Sequence, residues 1–108
     1  MGLYGEYFNA IKEGKKTIEV RLNDEKRRKI KVGDAIEFIK VPQQDEILKV
    51  QVINLRRYDT FEVMYNDIPL KDFDCAGWTI KEMIDGTYEI YTPEQEKEWG
   101  TLAITIEY

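Results

Sequence analysis

The sequence predicts an α+β fold, a small and mainly antiparallel β-barrel with flanking short helices. The chain has 108 residues, a length that suits one domain with one hydrophobic core. Segments that alternate between apolar and polar residues recur along it, and this period is typical of half-buried strands. They are not joined by the long helical crossovers that a parallel sheet needs, so antiparallel pairing is expected.

The N-terminal segment predicts a helix followed by a strand. The apolar residues of 3–11 follow the helical period, and Gly14 is placed to end that helix in the left-handed conformation. Residues 16–21 alternate with a period of two. Ile18 and Val20 therefore point to one side of a short strand, which predicts that this side packs in the core.

The rest of the predicted sheet comes from three further segments. Residues 23–29 predict a polar helical turn, and the Gly33-Asp34 turn opens a strand at 35–40. A longer strand follows at 47–58, where polar residues interrupt the apolar ones and predict a bend or bulge. Clean alternation over 101–108 predicts the closing strand.

Short helices are predicted between residues 60 and 98, as an insertion at one end of the barrel. Thr60, Thr79 and Thr92 are each placed as an N-cap. Gly86 is expected to close the second of these helices, and residues 88–91 are expected to be extended. The helix after Thr92 is strongly acidic, which predicts a solvated face.

Charge is distributed unevenly along the sequence. The whole chain has a formal net charge of −5, yet residues 12–31 contain nine basic against four acidic residues, a net of +5. Because a local field concentrates ligands of opposite sign, this segment predicts an anionic partner, with RNA or a nucleotide as the leading candidates. A solvated face without a ligand is the alternative interpretation of the same run.

The histidine and cysteine content excludes several kinds of catalytic and metal-binding site. The sequence has no histidine and one cysteine, Cys75. Histidine-based triads, structural zinc sites and iron–sulfur clusters are therefore excluded, and we expect neither a metal nor a cofactor. Any proton transfer would depend on Lys, Glu, Asp or Tyr side chains, or on water that they hold.

Hydropathy and cysteine content also predict where the protein resides. No apolar run approaches the roughly 20 residues that span a bilayer, and the first residues lack the apolar stretch of a signal peptide. One cysteine allows no intramolecular disulfide, as is usual in reducing compartments. A cytoplasmic location without a membrane partner is therefore expected.

Two motifs carry a resemblance to a known family. The segment Gly14–Arg21 (GKKTIEVR) places a basic pair before a strand that has Glu19 and Arg21 on one face. The segment Ile30–Phe38 (IKVGDAIEF) adds a Lys-x-Gly-Asp turn that opens the next strand, and Trp99 precedes the closing strand. On these motifs the chain resembles the ASCH domain, a branch of the PUA-like superfamily, over nearly its whole length.

The resemblance implies a single PUA-like ASCH domain over residues 1–108 that binds RNA, a nucleotide or a nucleoside. The ligand would occupy a basic cleft around GKKTIEVR, with Lys16 and Arg21 on phosphate or a base edge and Glu19 orienting Arg21 or accepting from an amino group. The structural alternatives are a strand-edge lysine and an ion pair of little consequence. Lys15 would also line this cleft, Arg27, Arg28 and Lys31 would form its rim, and Trp78 would stack on a base.

Two other functions stay open at this point. Some small ASCH proteins are similar to a metal-free amidohydrolase that deacetylates acetylcytidine with a lysine, a threonine and a glutamate. Lys16 matches the lysine, Glu19 stands in place of the threonine, and Asp74 lies near the position of the glutamate. The resemblance therefore makes Lys16 and Glu19 the candidate catalytic residues. The second alternative is a protein-interaction module that uses the acidic face.

Overall fold

A curled five-stranded sheet forms the body of the structure, a computed structural model that describes residues 1–108. Its strands are β1 (Gly2–Tyr4), β2 (Ile18–Leu22), β3 (Ala35–Val41), β4 (Ile47–Tyr58) and β5 (Thr101–Glu107). The helices are α1 (Gly5–Lys12), α2 (Phe61–Asp67), α3 (Ile80–Thr87) and α4 (Pro93–Trp99). Single 3-10 turns occupy Arg27–Lys29 and Leu70–Asp72. The predicted α+β fold, a mainly antiparallel β-barrel with flanking short helices, is confirmed, and its sheet is curled into a half-barrel.

The order of the strands, β1-β3-β4-β5-β2, leaves β1 and β2 as the two edges of the sheet. β1 runs parallel to β3, and every other pair is antiparallel. The register shifts between Val52 and Asn54, which confirms the predicted bulge in β4. We call the gap between the edge strands β1 and β2 the seam.

Each face of the sheet packs against its own hydrophobic core. The inner face carries Leu102 and Ile104 of β5, which pack with Phe8 of α1 and with the apolar residues of β3 and β4. The opposite face carries Ile18 and Leu22 of β2, which pack with residues from α2 and α3. Side chains alternate between the two faces along a strand. Glu19 and Arg21 of β2 therefore point to the inner face, opposite to Ile18 and Leu22.

The first eight residues differ from the prediction in one respect. Residues 2–4 form the strand β1, and the helix begins only at Gly5. The apolar spacing over 3–11 predicts a helix that includes Leu3, but Leu3 is buried because its strand pairs with β3. Gly14 adopts φ +77°, which confirms the predicted left-handed end of the helix.

The segment after α3 was predicted as extended, and this is wrong. Helical bonding continues past Gly86, and the amide of Tyr88 donates to the carbonyl of Ile84 at 3.0 Å. Residues 88–91 then form a turn, in which the amide of Tyr91 donates to the carbonyl of Thr87 at 2.9 Å. A glycine inside a helix costs about 1 kcal/mol, which the packing of α3 outweighs.

The solvated face predicted for α4 is wrong at one position. Glu96 is buried, whereas Glu94 and Glu98 are exposed. Its carboxylate accepts hydrogen bonds from two other segments, and these partners offset the loss of water. The acidic helix α4 therefore also contributes a buried carboxylate that bonds to two other segments.

The capping boxes at Thr79 and Thr92 give a first testable prediction. The Thr79 hydroxyl accepts from the amide of Glu82 at 3.1 Å, and the Glu82 carboxylate accepts from the amide of Thr79 at 3.0 Å. We expect Thr79→Ala to lower the free energy of unfolding by about 1 kcal/mol, measured by urea denaturation. Thr79→Ser keeps the oxygen acceptor and should stay near the wild type. Equal losses in both variants would contradict the capping explanation.

Candidate functional site

Three charged residues at the start of β2 meet in one buried cluster. After Gly14 the chain reverses, and the amides of Lys15 and Lys16 both donate to the carbonyl of Ala10. Lys16 forms a single bridge with Phe73, and β2 begins two residues later. This path brings the Lys16 side chain over the inner face, where Glu19 and Arg21 lie. The cluster Lys16–Glu19–Arg21 is called the triad below.

Glu19 stands at the centre of the triad. Its Oε1 lies 3.0 Å from Lys16 Nζ and accepts from the amide of Val20 at 3.1 Å. Its Oε2 accepts from Arg21 Nη2 at 2.8 Å and from Arg21 Nε at 3.3 Å. Since a carboxylate offers about four lone-pair positions, these bonds occupy the acceptor capacity of Glu19.

The triad is almost fully removed from water. The side-chain exposures are 10% for Lys16, 5% for Glu19 and 16% for Arg21. Burial opposes the charged form of Glu19, but the charges and hydrogen bonds of Lys16 and Arg21 outweigh it, so the pKa of Glu19 is lowered. Burial likewise opposes the charge of Arg21, yet the Glu19 carboxylate raises the Arg21 pKa. One anion thus holds two cations, and the triad has a net charge of about +1.

Arg21 also bridges the seam. Its Nη2 donates to the backbone carbonyl of Gly2 in β1 at 3.3 Å. β1 and β2 form no ladder with each other, because they are the opposite edges of the sheet. The guanidinium therefore takes the place of a backbone hydrogen bond at this point, and the triad lies where the half-barrel is open.

Comparison with known proteins identifies the family of the chain. The sequence matches the ASCH domain over residues 1–108. The chain belongs to the ASCH family, within the PUA-like superfamily. No curated protein matches it.

Two solved structures resemble this ASCH domain closely. The crystal structure of hypothetical protein PH0355 is 40% identical, with a TM-score of 0.86, covering 99% of this chain and 94% of that chain. The solution NMR structure of protein PF0455 from Pyrococcus furiosus is 41% identical, with a TM-score of 0.78, covering 99% and 93%. Both support the half-barrel fold, and their names assign no ligand.

Aromatic residues that the sequence analysis did not select surround the triad of this ASCH domain. The Tyr7 ring lies 4.8 Å from Lys16 Nζ and is 40% exposed. Tyr91 packs against Phe61, and it contributes to raising the pKa of Arg21. Tyr7 lies on the helix that precedes the GKKTIEVR motif. Only the reversal at Gly14 brings it back to Lys16, so the sequence period alone gave no signal.

Cys75 also lies beside the cluster. Burial raises the pKa of its thiol, and the charge of Lys16 opposes this shift. Its Sγ donates to the carbonyl of Phe73 at 3.5 Å. A thiol with a raised pKa is a weak nucleophile, which argues against a catalytic role for Cys75. No group of three or more Cys, Asp or Glu side chains is arranged to hold a metal ion.

The other predicted ligand-binding residues are dispersed. Lys15 pairs with Glu13 at 3.1 Å on the surface, and Arg27 pairs with Asp24 at 3.5 Å. Arg28 donates to the carbonyl of Asn23 at 2.7 Å and lies 5.6 Å from the Trp99 ring. Its side chain therefore connects two segments of the fold. Lys31 and Trp78 are exposed, and neither is hydrogen-bonded to the triad. Only Lys16, Glu19 and Arg21 of the predicted site are in mutual contact.

Two surface pockets lie away from the triad. One, of about 440 Å³, is lined by residues around Thr60 and Trp99, and another, of about 500 Å³, lies around Lys49 and Tyr108. Neither contains a triad residue. The buried charges and the open seam give a more specific indication of function than these shallow depressions do. None of the helices has the length and apolar character needed to cross a bilayer.

Proposed function

We propose that this ASCH domain binds RNA or a nucleotide at the seam through Lys16 and Arg21. The observation that carries the proposal is the triad itself, two cations held by one saturated carboxylate. An ammonium has three donors and a guanidinium five, and Glu19 and Gly2 engage only part of them. The remaining donors suit the acceptor atoms of a phosphate or a base edge. The association of the ASCH fold with RNA binding points the same way.

Glu19 has a positioning role in this proposal. Its oxygens already accept from Lys16, Arg21 and the amide of Val20. It therefore has no vacant position for a substrate proton or a base amino group. Its contribution is to hold two flexible cationic side chains in fixed directions, which lowers the entropy that a ligand must remove on binding.

Tyr7 supplies the aromatic surface. Its ring is partly exposed and lies beside Lys16. An aromatic ring next to a cation can stack on an unpaired base while the cation meets the acceptors of the ligand. We propose that single-stranded RNA or a free nucleotide is bound here, since a base within a duplex cannot reach the ring.

Lys16→Met tests the proposal without leaving Glu19 unpaired in the core. Methionine has a similar shape, and Glu19 keeps its bonds to Arg21. We expect the dissociation constant for a short single-stranded RNA or a nucleotide to rise about tenfold, measured by NMR titration, because one charge-assisted contact is lost. Lys49→Met is the matched control. Lys49 is exposed on β4, and the change removes the same charge.

The same titrations separate the proposal from its alternatives. Chemical-shift changes around Lys16 and Arg21 that Lys16→Met weakens would support it, whereas equal affinity in the wild type and Lys16→Met would overturn it. Acetylcytidine added to the same samples reports amidohydrolase activity by the appearance of cytidine. Binding of a protein through the acidic face would leave the triad resonances unshifted.

A further inference from the structure

Two arginines lie in one row across the inner face of the sheet. Arg57 of β4 pairs with Leu102 of β5, and Leu102 pairs with Arg21 of β2. Directly paired residues share a face, and Leu102 belongs to the inner core, so both arginines are on the inner face. Two strand spacings separate their Cα atoms, about 10 Å. Two long side chains at this separation can converge on one small anion.

Arg57 has no counterion of its own. It is exposed, and its side chain takes part in none of the ion pairs or hydrogen bonds of the structure. Glu19 neutralises one charge of the neighbouring triad, and its oxygens are occupied. The row from Arg21 to Arg57 is therefore a place where positive charge is left uncompensated.

The two ends of β2 differ in charge. Near Lys16, the negative charges of Glu6 and Glu89 act on Tyr7, and those of Asp74 and Glu6 act on Cys75. These carboxylates offset the positive charge of Lys16, so this end of the seam attracts phosphate less than the Arg21 end does.

Near Arg21 the charge is positive. Arg21 and Arg27 both act on Tyr91, and Arg27 Nε is buried without a hydrogen-bond partner. The Asp24 carboxylate, which lies 3.5 Å from Arg27 Nη1, compensates only part of this charge. An anion is thus favoured more at the Arg21 end of the seam than at the Lys16 end.

We propose that Arg57 and Arg21 form a phosphate subsite, which fixes the direction of the ligand along β2. The phosphate lies between these two guanidinium groups, and the base lies toward Tyr7 and Lys16. The inference rests on the proposed function and adds to it the orientation of the nucleotide and a residue, Arg57, outside the GKKTIEVR motif. Two guanidinium forks match the geometry of phosphate oxygens better than two ammonium groups would.

Arg57→Gln tests the subsite with the complete chain. The probes are the four ribonucleosides and their 5′-monophosphates, titrated separately by NMR. The variant is expected to weaken binding of the monophosphates about tenfold and to leave binding of the nucleosides unchanged, because only the phosphate meets Arg57. For a short single-stranded RNA, the slope of log affinity against log salt should fall by about 0.7, one phosphate contact.

Lys49→Gln is the control, because it removes one exposed positive charge from the same strand. If it weakens monophosphate binding as much as Arg57→Gln does, the loss comes from the net charge of the protein. That result would overturn the proposal of a subsite. Equal weakening of nucleosides and monophosphates by Arg57→Gln would overturn it as well. A wild type that binds no nucleoside and no nucleotide would instead remove the proposed function, so the two failures are distinguishable.

Discussion

Glu19→Ala is expected to lower the free energy of unfolding by about 4 kcal/mol, measured by urea denaturation. The substitution leaves Lys16 and Arg21 buried with side-chain exposures of 10% and 16% and without their shared anion. Removing one member of a buried ion cluster is more costly than removing a whole cluster, since the remaining charges have lost water and gained no partner. In a domain of this size, the loss would lower the melting temperature by well over 10 °C.

Glu37→Ala is the matched control for this variant. Glu37 is also a strand glutamate, but it is exposed on β3 and takes part in no ion pair. We expect a change within about 0.5 kcal/mol. The double variant Lys16→Met/Glu19→Ala should lose less than Glu19→Ala alone, because one of the two stranded cations is removed. Similar losses for Glu19→Ala and Glu37→Ala would contradict the interpretation of the triad as a buried charge cluster.

The dependence on pH gives an independent test of the same cluster. The folded protein holds the pKa of Glu19 below its ordinary value of 4.5. The stabilisation from Glu19 is therefore fully present above about pH 4.5 and is lost as the pH falls through the lowered folded value. The stability difference between the wild type and Glu19→Ala should shrink over that acid range. A constant difference down to pH 2 would show that the effect does not come from the carboxylate charge.

Much of the fold could be predicted from the sequence, because the strands depend on local alternation. The strands β2, β3, β4 and β5 follow the period of two, and the capping boxes at Thr79 and Thr92 are local patterns. β1 escaped prediction because three residues are too few to show a period, and its position depends on pairing with β3. The alternation of apolar and polar residues also does not show which strands become the edges of the sheet.

The contacts within the candidate site could be predicted only in part, for the same reason. The motif placed Glu19 and Arg21 on one face, but their burial depends on the core of β5 and on the Gly2 carbonyl across the seam. Arg57 is about 40 residues from the motif and joins Arg21 only through the register of β5. The basic run from Lys26 to Lys31 suggested a ligand surface, yet Arg28 is bonded within the scaffold. The number of basic residues in a segment does not show whether they are available to a ligand. That depends on which of them remain unpaired after folding.

Glu96→Ala is expected to lower the free energy of unfolding by about 3 kcal/mol, because two segments depend on this one buried carboxylate. Glu96 Oε2 accepts from the amide of Phe61, the first residue of α2, at 2.8 Å. Its Oε1 accepts from the Tyr88 hydroxyl at 2.7 Å. Alanine would leave the Phe61 amide buried without a partner and would release the turn after α3. Glu98→Ala, an exposed change on the same helix, should stay within about 0.5 kcal/mol in the same urea denaturation.

The titration of Tyr88 reports on this contact separately from stability. The hydrogen bond to Glu96, together with burial, raises the pKa of Tyr88 from 10.0 to about 12. A raised folded pKa means that the contribution is fully present below pH 10 and is lost as the pH rises toward 12. In Glu96→Ala the Tyr88 phenol, followed by NMR, should titrate near its ordinary value, and Glu96→Gln should give an intermediate result because its amide oxygen can still accept. An unchanged Tyr88 pKa in Glu96→Ala would mean that burial alone sets it, and the carboxylate would then be a partner of α2 only.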